Sequence, residues 1–152
     1  MNYELVQLEE KKVAGLSIRT ENNDPDMSRS IEQVWKRFFE DGIYHSIDGK
    51  KNDKTIGLYT NYENGVDGAY DMMVCCEVND TASLPENVQA EIIKPCKYAK
   101  FIVFGHVQQA IAEFWQRLWA MELDRKYSCD FEEYQGGADL DHAEIHIYIS
   151  LN

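Results

Sequence analysis

The sequence predicts an α+β fold. Two tandem duplicated βαββ modules form one antiparallel sheet, with two helices on one face and a ligand cleft at the pseudo-twofold seam. Three observations predict it. The stretch Val34-Trp35-Lys36-Arg37-Phe38-Phe39 returns eighty residues later as Phe114-Trp115-Gln116-Arg117-Leu118-Trp119. An alternating segment precedes each stretch and two more follow it, as strands with one buried face require. Both stretches carry apolar residues at helical spacing. A seam between two half-domains is a natural place for a pocket.

Residues 3–9 and 12–20 alternate and read as strands, with Glu9-Glu10-Lys11 as their turn. Residues 22–28 are a polar loop, and Ser28 or Ser30 is the expected cap of a helix over 30–41. That helix places Ile31, Val34, Trp35 and Phe38 on one face and stops at Gly42. Residues 45–54 read as a solvated loop. Strands follow at 55–62 and 68–78, joined by Asn64-Gly65, a hairpin signal. Residues 79–88 are the linker between halves. The second half reads as strands 89–94 and 97–105, a helix 107–122 burying Ile111, Phe114, Trp115 and Leu118, and strands 129–135 and 143–150. Gly136-Gly137 opens the last loop. The 152 residues form a single domain of two repeats, about 1–78 and 89–152.

Composition narrows the function. The net charge is −12, from 27 acidic and 15 basic residues. Such a surface repels phosphate backbones, so direct nucleic-acid binding is not expected. It attracts cations, whether small molecules or basic protein surfaces. No apolar run is long enough to span a bilayer, and no signal peptide is evident, so the expected location is the cytoplasm. Cys75, Cys76, Cys96 and Cys129 form no Cys-x-x-Cys pair and read as reduced, structural thiols. No nucleotide-binding or nucleophile-elbow motif is present, and no cofactor is expected.

Three groups of residues could carry chemistry. In Phe131-Glu132-Glu133-Tyr134, strand alternation puts Glu132 and Tyr134 on one face. A carboxylate among aromatics can pair with a cation or act as a general base, and the competing reading is a solvated Glu on an edge strand. The aromatics Trp35, Phe38, Phe39, Tyr59, Tyr62, Tyr70, Trp115, Trp119, Tyr134 and Tyr148 form the second group. Trp35 and Trp115 read as packing residues, whereas each Tyr hydroxyl needs a partner. The run Asp139–His146 could gather His142, Glu144 and His146 on one strand face, but it matches no metal motif, and no metal is expected.

With these residues in view, the chain resembles the GyrI-like small-molecule-binding family, the effector-binding domain of AraC- and MerR-type regulators. The carriers are Ile56-Gly57-Leu58-Tyr59, Tyr70-Asp71-Met72-Met73-Val74, Phe114-Trp115 with Trp119, Phe131-Glu132-x-Tyr134 and Glu144-Ile145-His146-Ile147-Tyr148-Ile149. The resemblance implies a seam pocket lined by aromatics around an acidic residue, binding hydrophobic, planar aromatic and often cationic compounds. It also implies hydrolysis of cyclopropane-bearing DNA-alkylating toxins as a second activity, with Glu132 and either Trp115 or Trp119 catalytic. Tyr59, Tyr70, Tyr134, Tyr148 and Phe39 would line the ligand site, with Tyr59 near Glu132's place in the first repeat. Ile149-Ser150 and Ala120-Met121-Glu122 depart from the family pattern at the pocket rim. No helix-turn-helix precedes the first strand, so a standalone sensor, sequestering protein or enzyme is expected. The alternative function is an acidic interaction module acting on DNA gyrase or another nucleic-acid enzyme.

Overall fold

The computed structural model describes residues 1–136 and 140–152. Gly137 and Asp139 of the sequence reading lie outside the described residues. The fold is α+β. In chain order the elements are β1 (Glu4–Leu8), β2 (Lys11–Glu21), α1 (Met27–Glu40), α2 (Ile43–Ser46), β3 (Thr55–Thr60), β4 (Ala69–Glu77), β5 (Gln89–Ile93), β6 (Cys96–Gly105), α3 (Val107–Trp119), β7 (Cys129–Tyr134) and β8 (Ala143–Leu151). The strands form one sheet in the order β1-β6-β8-β7-β3-β4-β2-β5, and every neighbouring pair is antiparallel. Exchanging β1–β4 for β5–β8 turns this order into its own reverse. β3 and β7 meet at the centre, and the outer strands are traded: β1 pairs with β6, and β5 with β2.

This exchange forces the sheet to curl. β1 and β2 stand six places apart in the order, roughly 29 Å in a flat sheet at about 4.8 Å per strand. Only Glu9 and Glu10 join them, a link that reaches at most about 11 Å. Lys94 and Pro95 join β5 to β6 under the same constraint. One face therefore closes on itself. Val13, Leu58, Met73, Ile93, Tyr98, Phe131 and Tyr148 fill it without a helix. Gly15 sits within this bend, where an added Cβ would run into the Val74 carbonyl.

The other face carries the helices. α1 buries Val34 and Phe38 over β2 and β4, and α3 buries Phe114 and Leu118 over β6. These are the same helical positions eighty residues apart. Ile31 and Trp35, like Ile111 and Trp115, are only half-buried.

Four local expectations are corrected. α1 starts at Met27 behind Asp26, not at a serine cap, because Ser30 N–H already donates to the Asp26 carbonyl. After Gly42 (φ +74°) the chain forms α2, where a solvated loop from residue 45 was expected. Ile43 and Ile47 are buried there, and Lys50 Nζ donates to the Tyr44 and Ile47 carbonyls. Asn64-Gly65 does not make a tight hairpin, since the β3–β4 ladder ends at Thr60–Asp71. Tyr62 draws the loop inward by donating its hydroxyl to Asp130, and Arg19 ties Asn61 to Asp71. α3 also ends at Trp119, short of the expected residue 122.

Phe38 is fully buried, whereas the adjacent Phe39 is 43% exposed. Phe38→Ala should therefore cost about 3–5 kcal/mol in urea denaturation, while Phe39→Ala costs less than about 1 kcal/mol. Equal losses would contradict this packing of α1.

Candidate functional site

The site is built on the central β3–β7 pairing. Gly57 lies directly across from Glu132, and Tyr59 lies across from Asp130. Alternation turns Gly57 and Tyr59 of β3, with Asp130, Glu132 and Tyr134 of β7, towards the helices. Leu58 and Phe131 turn into the closed core.

Glu132 is 1% exposed. Its Oε2 accepts hydrogen bonds from Trp115 Nε1 at 2.7 Å and Tyr59 Oη at 3.0 Å. Its Oε1 accepts from Tyr134 Oη at 2.9 Å. All three donors are neutral, and among the described residues no Lys, Arg or His forms an ion pair with Glu132. Burial pushes its carboxyl above the ordinary range, although the Trp115, Tyr134 and Tyr59 hydrogen bonds pull the other way. Burial, and then the charge of Glu132, hold the Tyr59 and Tyr134 hydroxyls far above their usual value. Burial also pushes Tyr70 up to about 12. All three phenols thus stay protonated as donors at neutral pH.

Each helix sends a Trp across the seam. Trp35 of α1 meets Tyr134 of β7 edge-on at 5.1 Å, and Trp115 of α3 meets Tyr59 of β3 edge-on at 5.3 Å. Gly57 makes this possible. A Cβ there would lie 3.0 Å from Glu132 Oε1 and 3.3 Å from Trp35 Cζ2. Between the helices lies a cavity of about 1110 Å³, with Glu132 in its wall and Ile31, Trp35, Phe39, Ile111, Trp115 and Trp119 along its sides. Glu32, Glu40, Asp53 and Glu144 also line it, against Lys36 and Arg125.

A second carboxylate stands two residues away on the same strand face. Asp130 is fully buried, and Arg125 Nη2 donates to its Oδ2 at 2.8 Å. Tyr62 Oη donates to the same oxygen, while Ser150 N–H and Oγ donate to Oδ1.

The structure brings Glu132, Tyr59, Tyr134 and Trp115 into one hydrogen-bonded group. Tyr70 lines the cavity, with its ring against Tyr59 and its hydroxyl on Asn22. Phe39 and the half-exposed Trp119 stand one helical turn beyond Trp35 and Trp115. Tyr148 is a correction. It lies on the opposite face, stacked on Phe131 at 4.6 Å, because its β8 register places it beside Phe131 and out of phase with Glu132. Trp35 is another, since it lines the cavity instead of only packing the core. Gly57 stands opposite Glu132 in the β3–β7 ladder. Sequence reasoning missed Gly57, Asp130 and Arg125. The alternation Asp130-x-Glu132-x-Tyr134 was the available signal for Asp130. Among the described residues no group of three His, Cys, Asp or Glu is placed to hold a metal ion.

Because the folded Glu132 carboxyl titrates above its unfolded value, the native state holds the extra proton between the two. Its contribution to stability is present below the unfolded value and is lost as pH rises through the folded one. Urea denaturation over this window should show that loss in the wild type and not in Glu132→Gln. Parallel pH profiles would contradict the burial effect.

A family model, that of the integron-associated effector binding protein Cass2, matches residues 4–151. The crystal structure of the integron cassette protein VCH_CASS2 from Vibrio cholerae is 26% identical, with a TM-score of 0.80 covering 99% of this chain and 95% of that one. SAV2435, solved bound to tetraphenylphosphonium, shares the fold at 21% identity, with a TM-score of 0.82 over 100% and 94% of the two chains. YobU of Bacillus subtilis (strain 168), named as a candidate transcriptional regulator, is 28% identical over 97% of this chain and 96% of its own. Among the described residues no helix is long and apolar enough to cross a membrane. The chain belongs to the Cass2 family of integron-associated effector binding proteins.

Proposed function

We propose that this effector-binding domain takes up hydrophobic, planar aromatic cations between α1 and α3, with Glu132 as the counter-charge. One observation carries the proposal: a buried carboxylate satisfied only by neutral donors, in the wall of an aromatic cavity. Three neutral hydrogen bonds orient the carboxylate and leave its charge uncompensated. A lipophilic cation supplies the missing charge without a rigid hydration shell. The faces of Trp35 and Trp115 add attraction through their ring quadrupoles. The volume suits a ligand of several rings. Tetraphenylphosphonium in the fold relative SAV2435, a tetrahedral cation carrying four phenyl rings, supports a hydrophobic aromatic cation as the ligand.

Glu132→Gln keeps the shape and removes the charge. Its affinity for tetraphenylphosphonium, followed by tryptophan quenching, should fall by about 1–3 kcal/mol. Unchanged affinity in the folded variant would remove Glu132 from the site. Gly57→Ala should also weaken binding, because the new methyl displaces Glu132 or Trp35. An alanine variant that binds as tightly as the wild type would mean that this part of the wall is not in contact with ligand.

A second activity rests on the same carboxyl. Glu132 Oε1 accepts one hydrogen bond, which leaves a lone pair for a water molecule. Burial makes the group a better base than an ordinary carboxylate. For a cyclopropane conjugated to a carbonyl, water would attack a ring carbon and pass its proton to Glu132. The ring C–C bond would break, and its electron pair would move onto the conjugated carbonyl. Glu132 would then return that proton, directly or through solvent, to the oxygen that gained the charge, which leaves a hydroxyl on the product. Incubation with a cyclopropane-bearing alkylator should give a product heavier by one water, absent with Glu132→Gln. Recovery of unreacted compound would assign the site to binding alone.

A further inference from the structure

Asp130 and Glu132 project from the same face of β7, about 6.8 Å apart along the strand. Both are buried, and their partners differ in kind. Glu132 is held by two phenols and an indole. Asp130 is held by a guanidinium, and Arg125 meets it with a side chain only 8% exposed. The guanidinium also lies over the Tyr127 ring, 4.3 Å from its centroid. A delocalised cation thus rests on an aromatic face and donates to a buried carboxylate. That is the arrangement proposed for the ligand at Glu132, made here from the chain's own side chain. Arg125 lines the cavity and Asp130 does not, so Arg125 stands between the cavity and the second carboxylate.

Building on that proposed function, we infer that Arg125 determines specificity: it occupies the second anionic position of the cavity and restricts the site to ligands with a single buried positive charge. A compact dication whose charges match the carboxylate spacing would meet Glu132 with one charge and the guanidinium with the other. The second charge would find no free counter-charge and a like charge in its place. Flexible carboxylates such as Glu32 and Glu40 do not substitute for Asp130, because they are exposed and solvated.

The test uses two rigid biaryl probes of nearly equal shape, N-methyl-4-phenylpyridinium with one charge and N,N′-dimethyl-4,4′-bipyridinium with two. The wild type should bind the monocation at least as tightly as the dication. In Arg125→Gln, where the glutamine amide can still donate to Asp130, the preference should shift towards the dication by roughly tenfold or more. Arg125→Gln/Asp130→Asn, which removes both charges, should return the preference to that of the wild type. A wild type that binds the dication tenfold more tightly than the monocation overturns the inference even if no Arg125 variant folds. So does a folded Arg125→Gln protein with an unshifted preference. Failure of the underlying function looks different: neither probe binds the wild type, or Glu132→Gln leaves the binding of the monocation unchanged.

Discussion

A carboxylate buried without a cation is the constraint around which the seam is organised. Leaving such a group out of water is costly unless it is hydrogen-bonded. Glu132 draws its donors from three elements: Tyr59 on β3, Tyr134 on β7 and Trp115 on α3. Satisfying one side chain therefore fixes the central strand pairing and the position of α3 over it. The same three groups are aromatic, so the donors are also the walls of the cavity. Gly57 completes the arrangement by leaving room where the facing strand would otherwise carry a side chain.

The curl of the sheet decides which face can hold such a site. Two-residue links join strands near opposite edges, and one face is consumed in closing on itself. The helices must then cover the other face. Each packs over its own half through Val34 and Phe38 or Phe114 and Leu118, and each sends a Trp to a Tyr across the seam. The central strands between the two helices are left as the floor of an open cavity. Tyr148 shows how strict the division is. One step of strand phase puts its ring in the closed core with Phe131 and Tyr98, on the face away from the cavity.

Much of this was legible in the sequence because periodicity reports local structure directly. The eight strands and the two long helices follow from alternation and helical spacing, with ends displaced by a few residues. Glu132 and Tyr134 were legible for the same reason, since they lie on one strand. Sequence phase within a strand does not reveal the register between strands. Gly57 opposite Glu132, Tyr148 beside Phe131 and the trading of β1 and β5 are all facts of register or of strand order. Trp35 was read as core because helical spacing marks the apolar face without telling its buried centre from its edge. The repeat itself held the correction, because Trp35 stands where Trp115 stands. Arg125 escaped because it lies on an irregular segment that leaves no periodic trace, and without its partner nothing marked the in-phase Asp130 as one half of a buried ion pair.

If a ligand cation supplies the charge that Glu132 lacks, binding must favour the ionised carboxyl and expel its proton wherever the free protein still holds one. Calorimetric titration of tetraphenylphosphonium in paired buffers of different ionisation enthalpy measures that proton directly. Titrations stepped upward from the ordinary carboxylate range should show proton release that peaks and then disappears as Glu132 ionises in the free protein. Glu132→Gln should release none. Binding with no proton release at any pH, or with the same release in the glutamine variant, would contradict the role given to this carboxylate.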